Sequence, residues 1–398
     1  MKGKKVLIGI TGGIAAYKSC YLIRYFVKAG AEVKVVTTEN GLKFVGETTL
    51  RSLSNNNVYS DTFAEWNNKP HEHISITDWG DIFVVAPATA NIIGKLANGI
   101  ADDALSTSLL AFNRQILIAP AMNTKMYDNP AVQRNMEFLA ANGVEFIEPD
   151  TGDLACGYEG KGRMAEPEQI FREARFHLDR SSLLAGKKII VTASRTEESL
   201  DPVRYLTNRS SGITGFRIAE QAACMGAEVT LITGPTDQET FSKVKRINII
   251  TADDMFTAVD REFDFCDCLI MSAAVADISF YMSNDKIKKS GSGFELNTKD
   301  TKDILLTMGQ RKEKQVIIGF AMETNDAVEN AKKKLLTKNA DLIVLNSISK
   351  ENPAFGSGKN KVTLVSKDSV EELPSMSKED IANVILEKTA EKLRSLSS

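Results

Sequence analysis

At 398 residues, the chain is longer than a single hydrophobic core usually supports, so its length predicts two or three domains. Its 49 basic and 52 acidic residues give a formal net charge of −3, which argues against bulk binding to nucleic acid or to a membrane surface. No apolar run approaches the ~20 residues of a spanning helix, and the five cysteines lack a disulfide spacing, so we expect a cytoplasmic protein.

The first half alternates short apolar runs with helical patterns. A helix is predicted at 14–29 from apolar residues at helical spacing, with a stop at Gly30. Continuous apolar runs are typical of strands buried on both faces of a parallel sheet. Such strands are predicted at 6–10, 33–37, 82–86 and 116–119. The alternation indicates a doubly wound α/β domain, which we place at 1–182.

The turn at 9–15 (GITGGIA) follows the first predicted strand and begins the first helix. Its glycines would let the backbone approach a phosphate, and the helix N-terminus would supply N–H groups and a positive dipole. The pattern is neither the dinucleotide fingerprint nor a P-loop, so an ordinary tight turn stays open as the alternative.

Two further turns, APATAN at 86–91 and APAMN at 119–123, follow the third and fourth strands. Proline and asparagine are common in turns for conformational reasons alone. Because both turns lie on adjacent strands and point to the same sheet edge, a binding role is equally well supported.

Two residues of the first half suit proton transfer. His73 is one of three histidines in the chain, and it is interpreted as an acid/base, with a structural role or an H-x-H metal pair as alternatives. Cys156 is the centre of a glycine-rich segment at 151–163, which we interpret as a mobile loop that brings a thiol over a site. Cys266 and Cys268, by contrast, lie in an apolar strand and are interpreted as core residues rather than a metal pair.

The second half repeats the plan of the first. GKKVLI at 3–8 has a counterpart in GKKIIV at 186–191, and a second domain is placed at 183–398. A helix is predicted around 218–225, and strands at 189–192, 229–233, 269–272, 316–320 and 342–345. The second framework is 13 residues longer between its first two strands, around 197–209, at the carboxyl edge where such folds bind ligands.

These motifs together resemble known families. GITGGIAA, the His-Ile pair, APATAN, PAMNTKM and ACG are similar to flavin-dependent cysteine decarboxylases, specifically phosphopantothenoylcysteine decarboxylase. DPVRY, SSG, AAVAD and KIKK in the second half resemble phosphopantothenate–cysteine ligase, and the order matches the bifunctional coenzyme A biosynthesis proteins. The resemblance implies two Rossmann-like domains with mostly parallel sheets: a flavodoxin-like flavoprotein domain, then a nucleotide-binding ligase domain.

In the first half, the resemblance implies FMN, which would oxidise the substrate thiol to a thioaldehyde and so provide an electron sink for decarboxylation. His73 would assist oxidation and decarboxylation, Asn123 would hold the substrate carboxylate, and Cys156 would donate the final proton. The implied flavin contacts are Thr11, Gly12, Gly13, Ile14, Thr37, Ala86, Pro87, Thr89, Asn91, Ser106 and Met122.

In the second half, the resemblance implies that CTP and Mg²⁺ activate 4′-phosphopantothenate as an acyl-cytidylate, which the cysteine amine displaces. Arg204 and Asn208 would handle this intermediate, and Lys286 would supply catalytic charge. The implied nucleotide contacts are Met271, Ser272, Ala273, Asp277, Lys286, Lys288, Lys289, Lys302, Asp303, Ile304, Leu305, Phe320, Lys334 and Lys338. The metal ligands are not assigned.

The chain departs from the family pattern at two places: Ser194-Arg195 replaces Gly-Pro, and Lys302 replaces a proline, which leaves the nucleotide-loop geometry open. The resemblance also implies a homo-oligomer, up to a dodecamer, with small-molecule substrates and neither nucleic acid nor membrane as partner. The rival interpretations are a decarboxylase with an inactive second domain, a flavin-binding regulatory protein and a flavin prenyltransferase.

Overall fold

The computed structural model describes residues 1–62, 72–153, 159–288, 296–323, 325–347 and 358–397. The chain forms two compact units, Met1–Asp179 and Arg180–Ser398. Within the described ranges, no helix has both the length and the apolar character that crossing a membrane requires.

The first unit contains the predicted alternation of strands and helices. Its strands are β1 (Lys5–Ile10), β2 (Glu32–Thr37), β3 (Val58–Tyr59), β4 (Ile82–Ala88), β5 (Gln115–Pro120), β6 (Glu145–Phe146), β7 (Asp150–Asp153) and β8 (Glu159–Arg163). Its helices are α1 (Ala16–Lys28), α2 (Glu39–Leu42), α3 (Glu47–Ser54), α4 (Glu72–Trp79), α5 (Ala90–Ala97), α6 (Ala104–Ala111), α7 (Thr124–Tyr127), α8 (Pro130–Ala141) and α9 (Pro167–Leu178).

The first unit has a parallel sheet in the order β3-β2-β1-β4-β5-β6, covered on both faces. On one face α1 buries Leu22, Ile23 and Phe26, each contributing about 1.5–3 kcal/mol of apolar transfer free energy. Helices α5, α6 and α8 pack against the other face. The chain leaves α1 through Gly30 at a φ of +87°, a conformation that glycine adopts without strain. The doubly wound fold is confirmed.

The second unit follows the same plan and then extends it. Its strands are β9 (Lys188–Ala193), β10 (Glu197–Ser199), β11 (Tyr205–Thr207), β12 (Glu228–Thr233), β13 (Lys245–Asn248), β14 (Cys268–Met271), β15 (Ile278–Phe280), β16 (Thr298–Asp300), β17 (Val316–Glu323), β18 (Leu342–Ser347), β19 (Lys359–Asn360), β20 (Thr363–Val365), β21 (Val370–Glu372) and β22 (Met376–Ser377). Its helices are α10 (Ile213–Cys224), α11 (Ala252–Phe263), α12 (Ile304–Arg311), α13 (Ala327–Thr337) and α14 (Lys378–Ser397).

The main sheet of the second unit has the order β13-β12-β9-β14-β17-β18-β20-β21. It is parallel through β18, and the antiparallel strands β20 and β21 extend its edge. These last two strands were not predicted, because three-residue strands carry too little periodicity to be distinguished from loops. Cys266 and Cys268 are buried at this sheet, and burial raises the pKa of Cys266 to about 12, so the core interpretation holds.

The extra segment after β9 forms an antiparallel hairpin of β10 and β11. Buried Glu198 fixes it, because its carboxylate accepts hydrogen bonds from the Ala252 amide and the Ser279 hydroxyl, both at 2.8 Å. The hairpin is therefore tied to the start of α11 and to β15.

The glycine-rich segment around Cys156 is not simply a loop, in contrast to our interpretation, because its two flanks pair as the antiparallel strands β7 and β8. Strand β8 lies directly on the turn after β5, where the Met122 amide donates to the Gly162 carbonyl at 3.0 Å. A Cβ on Gly162 would lie 2.3 Å from the Met122 oxygen, and one on Gly160 would lie 2.5 Å from the Thr124 hydroxyl. These glycines permit close packing of β8, a role that composition alone did not distinguish from mobility.

We therefore expect Gly162→Ala to destabilise the first unit by about 1–3 kcal/mol, because the new methyl group overlaps backbone that has little room to move. The φ of +141° at this position adds strain for any residue with a Cβ. The measurement is the midpoint of denaturant unfolding.

Gly94→Ala is the matched control, because Gly94 lies inside α5, where alanine is favoured over glycine, and a Cβ there would lie 3.7 Å from its nearest neighbour, the Asn135 side-chain nitrogen. Equal midpoints for the two variants would contradict the described packing of β8 on the turn after β5.

Candidate active sites

The turns after β1, β4 and β5 meet at the carboxyl edge of the first sheet, because these three strands are neighbours and parallel. Buried Thr11 joins two of the turns: its hydroxyl donates to the Pro87 carbonyl at 2.8 Å and accepts from the Thr89 amide at 3.2 Å. The first two predicted binding turns therefore form one connected surface.

This surface suits an anionic group such as a phosphate. Helix α1 begins after Ala15, and helix α5 begins after Thr89; neither N-terminus is capped by a side-chain hydrogen bond. Free N–H groups and helix dipoles at such ends attract anions. Gly12 has a different reason for being glycine, because a Cβ there would lie 2.6 Å from the Asn40 Cβ.

Several predicted flavin contacts already use their polar groups internally. The buried Thr37 hydroxyl donates to the Ile10 carbonyl at 3.0 Å, and Ser106 forms a capping box with Asp103 at the start of α6. Ala86 is buried in β4, whereas Ile14 and Asn91 are exposed. The edge of the sheet therefore presents backbone groups and exposed side chains to a ligand. The Thr37 and Ser106 side chains are instead hydrogen-bonded within the protein.

Asn123 begins α7, where its side-chain oxygen accepts from the Lys125 amide at 2.9 Å. The amide of the neighbouring Met122 donates to Gly162, so strand β8, which follows Cys156 in the chain, packs on the turn that contains Asn123. Cys156 itself lies outside the described residues. His73 belongs to α4, but its side chain is likewise outside the description.

An ion pair that sequence analysis did not identify fixes the far end of β8. Lys18 of α1 is buried, and its ammonium contacts Glu166 at 2.8 Å and the Met164 carbonyl at 3.3 Å. Lys18, assisted by Arg163, holds the pKa of Glu166 below its usual value. Only the tertiary fold shows this contact, because Lys18 and Glu166 are far apart in the chain.

In the second unit, a cavity of about 590 Å³ lies at the carboxyl edge beyond β14 and β17. Ten of the predicted nucleotide contacts line it: Met271, Ala273, Asp277, Lys302, Asp303, Ile304, Leu305, Phe320, Lys334 and Lys338. Four residues outside the predicted set also line this cavity: Val275, Ala276, Asp300 and Thr301.

We call this space the nucleotide cavity because most of the predicted nucleotide contacts line it, and the fold holds its charged groups in place. Asp303 caps α12 through the Leu306 amide at 2.8 Å and pairs with Lys338. Burial opposes ionisation of Asp303, but these hydrogen bonds outweigh it and keep its pKa low. The Lys334 ammonium donates to the Phe320 carbonyl at 2.8 Å, and burial lowers its pKa.

Four predicted nucleotide contacts lie elsewhere. Ser272 lines a neighbouring cavity, Lys286 and Lys288 are exposed and line neither cavity, and Lys289 is outside the described residues. Lys302 stands where the family pattern has a proline, and its ammonium lies 4.4 Å from the centre of the Phe256 ring. That distance allows a cation–π contact at the cavity rim.

The predicted residues Arg204 and Asn208 have different surroundings. Asn208 lines the neighbouring cavity and donates to the Ala274 carbonyl at 3.1 Å. Arg204 lines neither described cavity; its guanidinium donates to the Ile287 carbonyl at 3.1 Å, between Lys286 and Lys288. The structure therefore connects Arg204 to residues 286–288, which we call the lysine segment.

Asp201, which sequence analysis did not select, completes this connection. It is 2% exposed; one carboxylate oxygen accepts from the Val203 and Arg204 amides, and the other accepts from the Ile287 amide at 3.1 Å. An Asp-Pro turn alone indicates only the local bonds. The bond to Ile287 spans 86 positions and is visible only in the fold.

At the other departure, Ser194 has a φ of +68°, a region where glycine fits without strain. Its hydroxyl donates to the Pro235 carbonyl at 2.7 Å, while the Arg195 guanidinium donates to the Ser210 carbonyl at 2.8 Å. Where the family pattern has Gly-Pro, this chain therefore has two residues whose side chains hydrogen-bond to neighbouring loops. Among the described residues, no group of three or more His, Cys, Asp or Glu side chains could hold a metal ion.

Asp201→Asn should loosen the lysine segment selectively. An amide keeps one acceptor for the local turn but presents NH₂ in place of the second oxygen, so the Ile287 hydrogen bond is lost, at a cost of about 1–3 kcal/mol. We expect faster hydrogen exchange in the peptide that contains Ile287. Asp237→Asn, at an exposed carboxylate, makes the same charge change as a control, and equal exchange in both variants would refute the connection.

Known proteins resemble this chain along both of its units. A family model described as Flavoprotein matches residues 1–175, and one described as DNA/pantothenate metabolism flavoprotein C-terminal domain matches 184–393. The chain is 47% identical over 395 residues to the coenzyme A biosynthesis bifunctional protein CoaBC of Bacillus subtilis, covering 98% of this chain and 97% of that protein. It is 40% identical over 389 residues to the CoaBC of Borreliella burgdorferi, covering 97% of this chain and 98% of that protein.

A cysteine/cysteine sulfinic acid decarboxylase from an unknown prokaryotic organism is 40% identical over 348 residues, covering 85% of this chain and 97% of that protein. The bifunctional relatives match a larger share of this chain, and the two family models together span both of its units. The chain therefore belongs to the family of bifunctional coenzyme A biosynthesis proteins.

Proposed function

We propose that this enzyme catalyses two consecutive reactions of coenzyme A biosynthesis. The second unit ligates 4′-phosphopantothenate to cysteine through an acyl-cytidylate made from CTP. The first unit decarboxylates the resulting 4′-phosphopantothenoylcysteine to 4′-phosphopantetheine. The observation that carries the proposal is the nucleotide cavity, where ten residues selected from the sequence surround one space.

In the ligation, the second unit must hold a triphosphate close to a carboxylate and neutralise both. Lys302, Lys334 and Lys338 line the nucleotide cavity, and positive groups fixed before the reaction stabilise the charge that develops on the phosphates. Burial lowers the pKa of Lys334, while the nearby Asp303 and Glu323 favour its charged form. Mg²⁺ is expected to arrive with CTP, and we assign no protein ligand to it.

Asn208 is the residue best placed to orient the activated carboxylate. Its amide already donates to the Ala274 carbonyl, and it lines the cavity that adjoins the nucleotide cavity. Arg204 would act indirectly: its hydrogen bond to Ile287 would position the neighbouring Lys286 for the phosphates. Arg204 itself would then not need to touch the substrate.

For the decarboxylation, the first unit would hold FMN: the N-termini of α1 and α5, which no side chain caps, would bind its phosphate, and the exposed Ile14 and Asn91 would contact it. FMN supplies the two-electron redox chemistry that a cysteinyl carboxylate needs before it can lose CO₂. Asn123 would bind the substrate carboxylate, while His73 and Cys156 would move protons. Thr11 keeps the turns of this site together.

The decisive experiment is product analysis with CTP or ATP. The purified protein should be yellow and should convert 4′-phosphopantothenate, cysteine and CTP to 4′-phosphopantetheine. Failure to form phosphopantothenoylcysteine with either nucleotide would refute the ligase. Release of CO₂ from free cysteine or cysteine sulfinic acid, but not from phosphopantothenoylcysteine, would favour the activity named for the third relative.

Lys286→Ala should abolish acyl-nucleotide formation, because it removes a charge from the segment that Arg204 and Asp201 position. Decarboxylation of supplied phosphopantothenoylcysteine should be unchanged. Lys332→Ala removes an exposed lysine of α13 that lines neither cavity and serves as the control. Loss of both activities in the Lys286 variant would contradict independent sites.

Cys156→Ser should still release CO₂ but accumulate a product that is oxidised by two electrons, because a serine hydroxyl is a far weaker proton donor than a thiol. Mass spectrometry of the product measures this outcome. Normal formation of 4′-phosphopantetheine by the variant would show that another group donates the proton.

A further inference from the structure

Residues 273–277, which follow β14 and which we call the wall segment, line both cavities of the second unit. Val275 and Asp277 belong to the nucleotide cavity and also to the neighbouring cavity, whereas Asn208 lines only the neighbouring one. The position of the wall segment relative to Asn208 therefore decides how that amide is placed against a nucleotide.

Buried Thr196, in the turn after β9, holds the wall segment with its backbone and with its side chain. Its amide donates to the Ala274 carbonyl at 3.3 Å, and its hydroxyl accepts from the Ala276 amide at 3.0 Å. Among the described residues, no other group accepts from that amide. Thr196 is 0% exposed, so water does not reach this contact. One residue thus fixes both neighbours of Val275.

The hydrogen bond to the Thr196 hydroxyl also determines which way the Val275 carbonyl faces. The peptide between Val275 and Ala276 is trans, so its C=O points opposite to its N–H. Because the N–H binds Thr196 in the interior, the carbonyl faces away from Thr196. It accepts no hydrogen bond from the described residues, and Val275 lines both cavities, so this acceptor is available to a ligand.

Thr196 holds the segment that carries Asn208 as well. The hydroxyl of Thr207, the last residue of β11, donates to the Thr196 carbonyl at 2.7 Å. The next residue is Asn208, whose side chain donates to the Ala274 carbonyl at 3.1 Å. Thr196 therefore contacts both the residue before Asn208 and the residue before Asp277.

Thr301 holds the wall segment independently, from the side of the nucleotide cavity. Its hydroxyl donates to the Ala276 carbonyl at 2.6 Å, and its amide donates to the Asp277 carbonyl at 3.0 Å. Thr301 lines the nucleotide cavity and precedes Lys302. The nucleotide residues thus keep their own connection to the wall segment when the Thr196 hydroxyl is removed.

We propose that Thr196 is a positioning residue for the ligation, which sets the spacing between Asn208 and the nucleotide by holding Thr207 and Ala276 together. This inference rests on the proposed ligase function. Thr196 lines neither cavity, so it acts through the wall segment and through Asn208 and does not touch a substrate.

The test compares Thr196→Val with Thr196→Ser in the full-length protein. Valine keeps the shape of threonine but leaves the buried Ala276 amide without an acceptor, whereas serine keeps the hydroxyl. We expect the valine variant to form the acyl-nucleotide at least about tenfold more slowly, and serine to restore the rate to within about threefold. Calorimetry should show an unchanged number of CTP sites and a CTP affinity within about threefold of the wild type.

Thr389→Val is the matched control. Thr389 is equally buried, but its hydroxyl donates only to the Ile385 carbonyl within α14. The rate of acyl-nucleotide formation should therefore stay at the wild-type value, and decarboxylation of supplied phosphopantothenoylcysteine should be unchanged in all three variants.

A wild-type rate in the Thr196→Val variant would overturn the proposal, as would an equal loss in Thr196→Ser, which would assign the effect to the missing methyl group. A fall in the number of CTP sites that matches the fall in rate would also overturn it, because unfolding would then explain the loss.

Hydrogen exchange separates this inference from the ligase proposal. If the wild type forms no ligation product with either nucleotide, the ligase proposal fails, and the contact is judged by the exchange of the peptide that contains residues 273–277. Faster exchange in Thr196→Val but not in Thr196→Ser would support the hold of Thr196 on the wall segment. Equal exchange in the wild type and both variants would refute it.

Discussion

The parallel pairing of β1 with β4 and of β9 with β14 is the constraint on which both sites depend. Parallel strands place all their carboxyl ends at one edge, so turns that are distant in the chain become neighbours. In the first unit this brings Thr11 to Thr89, and in the second it brings Asn208 to Ala274. The helices that follow these strands present their N-termini at the same edge, which suits phosphate-bearing ligands.

Both units use one sheet plan, but their edges are built differently. In the first, the β7–β8 hairpin covers the turn after β5 because Gly162 allows backbone contact. In the second, the β10–β11 hairpin leads to Asp201 and Arg204, which hold the lysine segment through Ile287. The strand framework is thus common to the two units, whereas the hairpins at their edges differ.

Several residues that position the sites were not recognisable from sequence. Lys18 and Asp201 act through partners that lie 148 and 86 positions away in the chain. Each is a charged residue in a segment where a solvent-exposed side chain is the ordinary expectation. Only burial and the identity of the contacts distinguish them, and both are properties of the folded chain.

The sequence alone determined the fold class and the order of the two units, because apolar runs, helix stops and turn motifs are local and periodic. The ten predicted residues that line the nucleotide cavity came from the family resemblance of the second half. The sequence also indicated Asn123 through the turn that carries it, whereas Asn208 came from the family resemblance. The tertiary structure decided why Gly162 is glycine, why Arg204 contacts the lysine segment, and why Lys378 is buried beside α10. These are consequences of close approach between distant segments, and distances between such segments are not encoded in any local pattern.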